Sequence, residues 1–77
     1  MNEVLLFARI QDEVGQKSLE ADLAGKSIKE SKRWVEDNYE VSSLTRTMVA
    51  VNEEFAKDDD VIDEGDTVAF IPPVSGG

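Results

Sequence analysis

The chain of 77 residues carries 17 acidic and 8 basic side chains, and its formal net charge of −9 disfavours nucleic acid and anionic membranes as partners. At this length a single domain buries only about 60% of its unfolded surface, which excludes a deep, enclosed active site. The chain has no cysteine and no histidine, which excludes disulfides and a thiol nucleophile and leads us to expect no bound metal and no bound cofactor.

An alternating apolar pattern opens the chain and predicts a strand hairpin. Apolar side chains at every second position indicate a first strand near residues 3 to 10, apolar on both faces as central strands are. A loop with the turn residue Gly15 follows, and alternation over residues 18 to 23 predicts a second strand. The opening apolar run stops at Arg9 and no basic stretch precedes it, so neither a signal peptide nor a membrane span fits and we expect a cytoplasmic protein.

A helix signal follows the hairpin. Ser27 and Glu30 have the spacing of a capping box, in which each side chain satisfies a backbone N–H group at the start of a helix. We therefore expect a helix over residues 28 to 38 that packs on one face of the sheet. Trp34 on this helix is expected at the edge of the core, with a partner contact as the alternative.

Strand patterns return in the second half of the chain. Residues 46 to 52 predict a strand, a turn at residues 53 and 54 precedes a short strand, and Gly65 predicts a turn with positive φ before the last strand at residues 67 to 71. The first and last strands are the most continuously apolar, so we expect them to be parallel neighbours at the centre of the sheet. By analogy, this order predicts an α+β, ubiquitin-like β-grasp fold, a mixed sheet of four to five strands with one main helix packed on one face.

The end of the sequence differs in composition from the rest. No charged side chain follows Asp66, and the final residues are Pro72, Pro73, Val74, Ser75, Gly76 and Gly77. Paired prolines favour an extended arm, and narrow neutral residues enter a partner's channel without the cost of desolvating charge. We expect a β-grasp domain over residues 1–71 and an extended tail over residues 72–77 that ends at the Gly77 carboxylate. The alternative is a frayed end.

Four segments carry a resemblance to a known family: residues 4–8, 13–15 and 50–52, and most strongly residues 63–77, DEGDTVAFIPPVSGG. Together they resemble the small, sulfur-carrying subunit of molybdopterin synthase, which is a ubiquitin-like protein. One departure from the family pattern is Gln11, where many relatives have arginine, so a salt link made by that arginine is not expected here.

The resemblance implies a sulfur carrier of molybdenum cofactor biosynthesis, a non-catalytic subunit whose active site lies mainly in the large subunit of the synthase. It implies that an ATP-dependent activating enzyme, an adenylyltransferase, joins the Gly77 carboxylate to AMP and that a sulfur donor converts it to a thiocarboxylate. Residues 72–76 would then insert Gly77 into the large subunit of a heterotetramer, where the sulfur forms the dithiolene of molybdopterin. ATP would be used by the activating partner.

Other functions share this chemistry. A sulfur carrier for the thiazole of thiamine and a ubiquitin-like modifier of lysines both use an adenylated Gly-Gly end. The Pro72-Pro73 pair favours the molybdopterin carrier, because the thiamine carriers typically lack these prolines. A non-covalent adaptor is a further alternative, and it would tolerate loss of Gly77.

Two surfaces are predicted to meet partners. Strand alternation places Leu5, Phe7 and Ile71 on the sheet face away from the helix, where they would form an apolar patch for the large subunit beside the tail, or else a small second core under a loop. In this interpretation the opposite face holds Leu6, Ala8 and Phe70. Residues 53–66 contain 8 acidic residues with Lys57 as the single base, which predicts a solvated face that steers a basic partner rather than a calcium or magnesium site.

Overall fold

The computed structural model describes residues 1–73, which form one five-stranded sheet and two helices. The elements in chain order are β1 (Asn2–Leu6), α1 (Ala8–Val14), β2 (Ser18–Ala21), α2 (Ile28–Asn38), β3 (Met48–Val51), β4 (Glu54–Ala56) and β5 (Thr67–Ile71). The strands are ordered β2-β1-β5-β3-β4, with β1 and β5 parallel and the other neighbours antiparallel. The predicted β-grasp fold, with the first and last strands side by side, is confirmed. No helix within residues 1–73 is long and apolar enough to cross a membrane.

The core lies between α2 and one face of the sheet. Leu6 on β1 and Phe70 on β5 are register partners and are both buried, as the alternation of apolar residues along these strands requires. Ile28 and Val35 of α2 are fully buried in the same cluster. Trp34 is half-buried at the edge of this core, with its ring centroid 6.2 Å from that of Tyr39, so the predicted position of Trp34 is confirmed.

Helix α2 begins where its capping signal predicts. The Ser27 hydroxyl accepts a hydrogen bond from the Glu30 backbone N–H at 3.1 Å, and the Glu30 carboxylate accepts one from the Ser27 N–H at 2.9 Å. The hydrogen bond from the Ser27 backbone N–H, with a smaller contribution from the Ser27 side chain, lowers the pKa of Glu30, because it favours the ionised carboxylate. The capping box thus fixes both the start of α2 and the charge at its first turn.

Helix α1 replaces the second half of the predicted first strand, so the assignment of a strand to residue 10 was wrong. Ala8 has a φ of 49°, which turns the chain out of β1 and leaves its side chain exposed rather than on the core face. Ile10 is fully buried and Val14 packs against the core, a spacing of four residues that fits a helix. Gly15, at a φ of 84°, ends the helix and donates its N–H to the Gln11 carbonyl at 2.8 Å.

The turn between β3 and β4 lies one residue earlier than predicted. Val51 pairs with Glu54, so the loop consists of Asn52 and Glu53, with φ values of 51° and 72°. Positive φ at both positions defines a type I′ turn, whose twist matches that of the flanking strands. The prediction of a turn at residues 53 and 54 was therefore wrong, and Glu54 begins β4.

The last strand ends at Ile71, and Pro72 and Pro73 follow it without regular secondary structure. Pro72 is half-buried and Pro73 is exposed. The predicted tail residues Val74, Ser75, Gly76 and Gly77 lie outside the described residues.

Candidate functional site

A row of side chains crosses the sheet on the face opposite α2. Strand register pairs Leu5 with Ala69, Ala69 with Ala50, and Ala50 with Phe55. Register partners share one face of a sheet, so these residues of β1, β5, β3 and β4 lie side by side. The two alanines in the middle are small and the residues at both ends are large, which makes the row concave.

This row is the floor of an open groove with a volume of about 580 Å³. Its apolar lining residues are Leu5, Phe7, Ala50, Phe55, Ala69 and Ile71. Its polar lining residues are Asn52, Glu53 and Thr67. Thr67 begins β5, and Asn52 and Glu53 form the β3–β4 turn beside it, whereas the apolar Ile71 ends β5. The groove therefore has a polar end and an apolar end.

The predicted patch residues Leu5, Phe7 and Ile71 are all brought together in this groove. Phe7 is 43% exposed, and Leu5 and Ile71 are half-buried. They line an open groove and, within residues 1–73, none of them belongs to the core cluster or packs against it, so they form a surface rather than a second core. Exposed apolar side chains gathered in one place are typical of a binding surface, and their contact with a partner stays a prediction.

Phe55 is the main groove residue that the sequence interpretation missed. It is 68% exposed and lies at the outer end of the row. The sequence feature that could have indicated Phe55 is the short strand after Asn52. The register of β3 with β4 was not predictable, because Asn-Glu is a weaker hairpin-turn sequence than Asn-Gly. Met48, which pairs with Ile71 and is 46% exposed, extends the apolar face beyond the groove.

The polar end of the groove is tied to the start of β5 by side-chain hydrogen bonds. The Asn52 side chain accepts a hydrogen bond from the Thr67 N–H at 3.0 Å and donates one to the Asp66 carboxylate at 2.9 Å. The other Asp66 oxygen accepts the Asp63 N–H at 2.9 Å. The bonds that Asp66 accepts, from the Asp63 N–H first and from the Asn52 amide second, lower the pKa of Asp66 and favour its ionised carboxylate.

The apolar end of the groove adjoins the point where the predicted tail leaves the domain. Ile71 lines the groove and is followed directly by Pro72 and Pro73. Since β5 lies between β1 and β3, this exit is at the centre of the sheet. A partner bound over the groove would therefore contact the beginning of the tail.

The acidic segment 53–66 begins in the β3–β4 turn and ends directly before β5. Asp58 accepts a hydrogen bond from the Lys32 ammonium at 3.3 Å, and the Asp60 carboxylate accepts the Lys57 N–H at 2.9 Å. Glu53 is the member of this segment that lines the groove. Within the described residues, no group of three acidic side chains is placed so that it could hold a metal ion.

Comparison with known proteins covers nearly the whole chain. A model of the ThiS family matches residues 4–77. The molybdopterin synthase sulfur carrier subunit of Dictyostelium discoideum is 35% identical over 81 residues, which cover 97% of this chain and 94% of that protein. The match thus includes the groove strands and the closing Gly-Gly segment.

Solved structures share the fold. The putative molybdopterin converting factor subunit 1 of Pyrococcus furiosus superposes with a TM-score of 0.79 at 23% identity, covering 95% of this chain and 97% of that one. In a complex of subunits 1 and 2 of the molybdopterin-converting factor of Helicobacter pylori, the matching chain gives a TM-score of 0.57 at 20% identity, with coverages of 99% and 97%. Small archaeal modifier proteins have the same fold at 19–24% identity, so the fold alone does not separate sulfur carriers from modifiers.

Proposed function

Because the chain belongs to the ThiS family, we propose that it is a sulfur carrier of molybdenum cofactor biosynthesis, the small subunit of a molybdopterin synthase. The observation that carries this proposal is the 35% identity to a molybdopterin synthase sulfur carrier subunit across 97% of the chain. The resemblance of residues 63–77 to the family's closing segment supports it.

In this proposal the reacting group is the Gly77 carboxylate. An activating enzyme transfers AMP from ATP to this carboxylate and releases pyrophosphate, and a sulfur donor then displaces AMP to leave a thiocarboxylate. The chain has no cysteine or histidine to take part in this chemistry itself. Its role is to present the carboxylate and later the sulfur, so the catalytic groups belong to its partners.

The large synthase subunit is the proposed occupant of the groove. Phe7 and Phe55 expose apolar area whose burial would stabilise a complex. Ile71 connects the groove to the tail through Pro72. Docking there would fix the position from which residues 72–76 carry Gly77 into the active site of a heterotetramer. The Helicobacter pylori complex, in which subunit 1 of a molybdopterin-converting factor is bound to subunit 2, supports such a partner.

Two assays test the proposal in sequence. The chain is first incubated with a molybdopterin synthase activating enzyme, ATP and a sulfide source, and its intact mass is measured. We expect one oxygen to be replaced by sulfur. The charged chain is then mixed with the large subunit and the cyclic precursor, and molybdopterin is measured, with a chain lacking Gly77 as the control.

The outcome separates the alternatives. A thiocarboxylate that supports thiazole formation but not molybdopterin formation would assign the chain to thiamine synthesis. Lysine conjugates without sulfur transfer would make it a modifier. Molybdopterin formation by the chain lacking Gly77 would leave only a non-covalent adaptor.

A further inference from the structure

Backbone strain in the described chain is concentrated around the groove. The non-glycine residues with positive φ are Ala8, Asn52 and Glu53 within residues 1–73. Ala8 directly follows the groove residue Phe7, and Asn52 and Glu53 line the groove themselves. Residues with a Cβ atom disfavour this conformation, and such strained residues tend to cluster at functional sites.

Glu53 is the least expected of the three. At a φ of 72° it occupies the second position of a type I′ turn, where glycine is the favoured residue. Asn52 tolerates the left-handed region and its side chain bonds to the start of β5, so its presence is explained by the fold. No ion pair within residues 1–73 involves Glu53, so the fold gives no comparable reason for a glutamate there.

Glu53 is also the one charged side chain among the groove's lining residues in the described part of the chain. A partner that covers the groove removes water from this carboxylate. An ionised carboxylate that loses its water without gaining a partner opposes binding, whereas a cation placed against it forms a charge-assisted hydrogen bond. A partner that buries the polar end of the groove therefore binds more tightly when it places a cation against Glu53.

We propose that Glu53 is a specificity residue whose carboxylate pairs with a Lys or Arg side chain of the large synthase subunit, at the end of the groove away from the tail. This inference rests on the proposed function for the identity of the partner. Ile71 and the tail at one end of β5 and Glu53 beside the other end would together fix the direction in which the partner lies along the groove.

The test compares three variants by calorimetric titration with the large subunit and by urea unfolding of the isolated chain. Glu53→Gln keeps the strained turn and removes the charge. We expect it to leave the unfolding midpoint unchanged and to weaken binding at least about tenfold, as expected for loss of a charge-assisted contact. Glu53→Gly removes both strain and charge, so we expect a higher midpoint and an equal loss of binding.

Glu54→Gln is the matched control, because it removes the same charge one residue away and outside the groove. We expect its affinity to stay within about twofold of the wild type. Unchanged binding by Glu53→Gln would overturn the inference. An equal loss of affinity in Glu54→Gln would also overturn it, because it would show that overall negative charge, and not a specific pairing of Glu53, favours binding. If the wild-type chain itself does not bind the large subunit, the proposed function fails, and the pairing fails with it.

Discussion

Ala50 and Phe55 face each other across the β3–β4 hairpin, so that a buried methyl group lies beside a phenyl ring that is 68% exposed. The small residue leaves space on the sheet surface, and the large one forms a wall of that space. A partner side chain that enters from solvent meets apolar atoms below and beside it, which is the environment of an interface core.

Replacing Phe55 by aspartate should weaken binding of the large subunit at least about tenfold, because a large apolar contact at the outer end of the groove's row becomes a charge. The free energy of unfolding should change by less than about 0.5 kcal/mol, since the ring is mostly exposed in the free chain. Val61→Asp is the control, because Val61 is 60% exposed but lies outside the groove. Equal effects of both substitutions would contradict a specific role for the groove.

Phe7 provides the corresponding test at the tail end. Phe7→Ser should reduce affinity for the large subunit while leaving the chain folded, whereas Phe70→Ala should cost about 3–5 kcal/mol of stability because Phe70 is fully buried. Titration calorimetry and urea unfolding separate the two effects. A Phe7 variant that loses stability as Phe70→Ala does would assign Phe7 to the core instead.

Glu3 and Glu20 are register partners on β1 and β2, and both are exposed. Like charges directly opposite each other on a sheet are unfavourable, so Glu20→Lys should stabilise the chain by roughly 0.5 kcal/mol. Glu20→Gln should give a smaller gain. Urea unfolding at low and high salt measures both, and the advantage of lysine over glutamine should shrink as salt screens the pair. An advantage independent of salt would show that charge is not its cause.

Asp66 should make stability depend on pH under acidic conditions. Its pKa in the folded chain lies below the ordinary value of 3.8, so its contribution is present above that value and is lost as the pH falls through the lower folded pKa. Urea unfolding between neutral pH and about pH 3 should therefore show a fall in stability that is smaller in Asp66→Asn. Asp59→Asn, which removes an exposed carboxylate of the same acidic segment, is the control for the change in net charge, and an equal effect of both substitutions would contradict a specific role for Asp66.

Gly77 should be sensitive to both deletion and extension. One extra residue moves the reacting carbonyl by about 3 Å in an extended tail, and displacement of reacting atoms by an ångström can cost on the order of a hundredfold in rate. Within residues 1–73 the core cluster contains no residue after Phe70, and we expect the unfolding midpoint not to shift. Thiocarboxylate formation measured by intact mass checks the prediction. Normal sulfur transfer by the extended chain would exclude the terminal carboxylate as the reacting group.

The parts of the fold that could be predicted are those where a local signal and a long-range pattern agree. Helix α2 is marked by the Ser27–Glu30 capping box, and the continuous apolar runs of β1 and β5 require a place at the centre of the sheet. Helix α1 could not be predicted in this way. Ala8 and Ile10 continue the apolar alternation of β1, although β1 ends at Leu6. The positive φ of Ala8, at which the chain turns into α1, has no signal in the sequence.

The site residues likewise include some that could be predicted from the sequence and some that could not. Leu5, Phe7 and Ile71 were predictable because β1 and β5 are adjacent and their alternation fixes which side chains share a face. Phe55 and Glu53 depend on the register of the β3–β4 hairpin, and that register follows from a turn whose Asn-Glu sequence is not a strong type I′ signal.

The parallel pairing of β1 with β5 joins the first and last strands of the described chain, so the centre of the sheet cannot assemble until residues 67–71 have been synthesised. Contacts between such distant segments form late and make folding slow compared with that of helical domains of similar size. A nascent or truncated chain that ends before β5 therefore lacks the groove floor, because Ala69 provides part of it. Under the proposed function, this arrangement would prevent a chain that ends before β5, and therefore has no tail to charge, from occupying the large subunit.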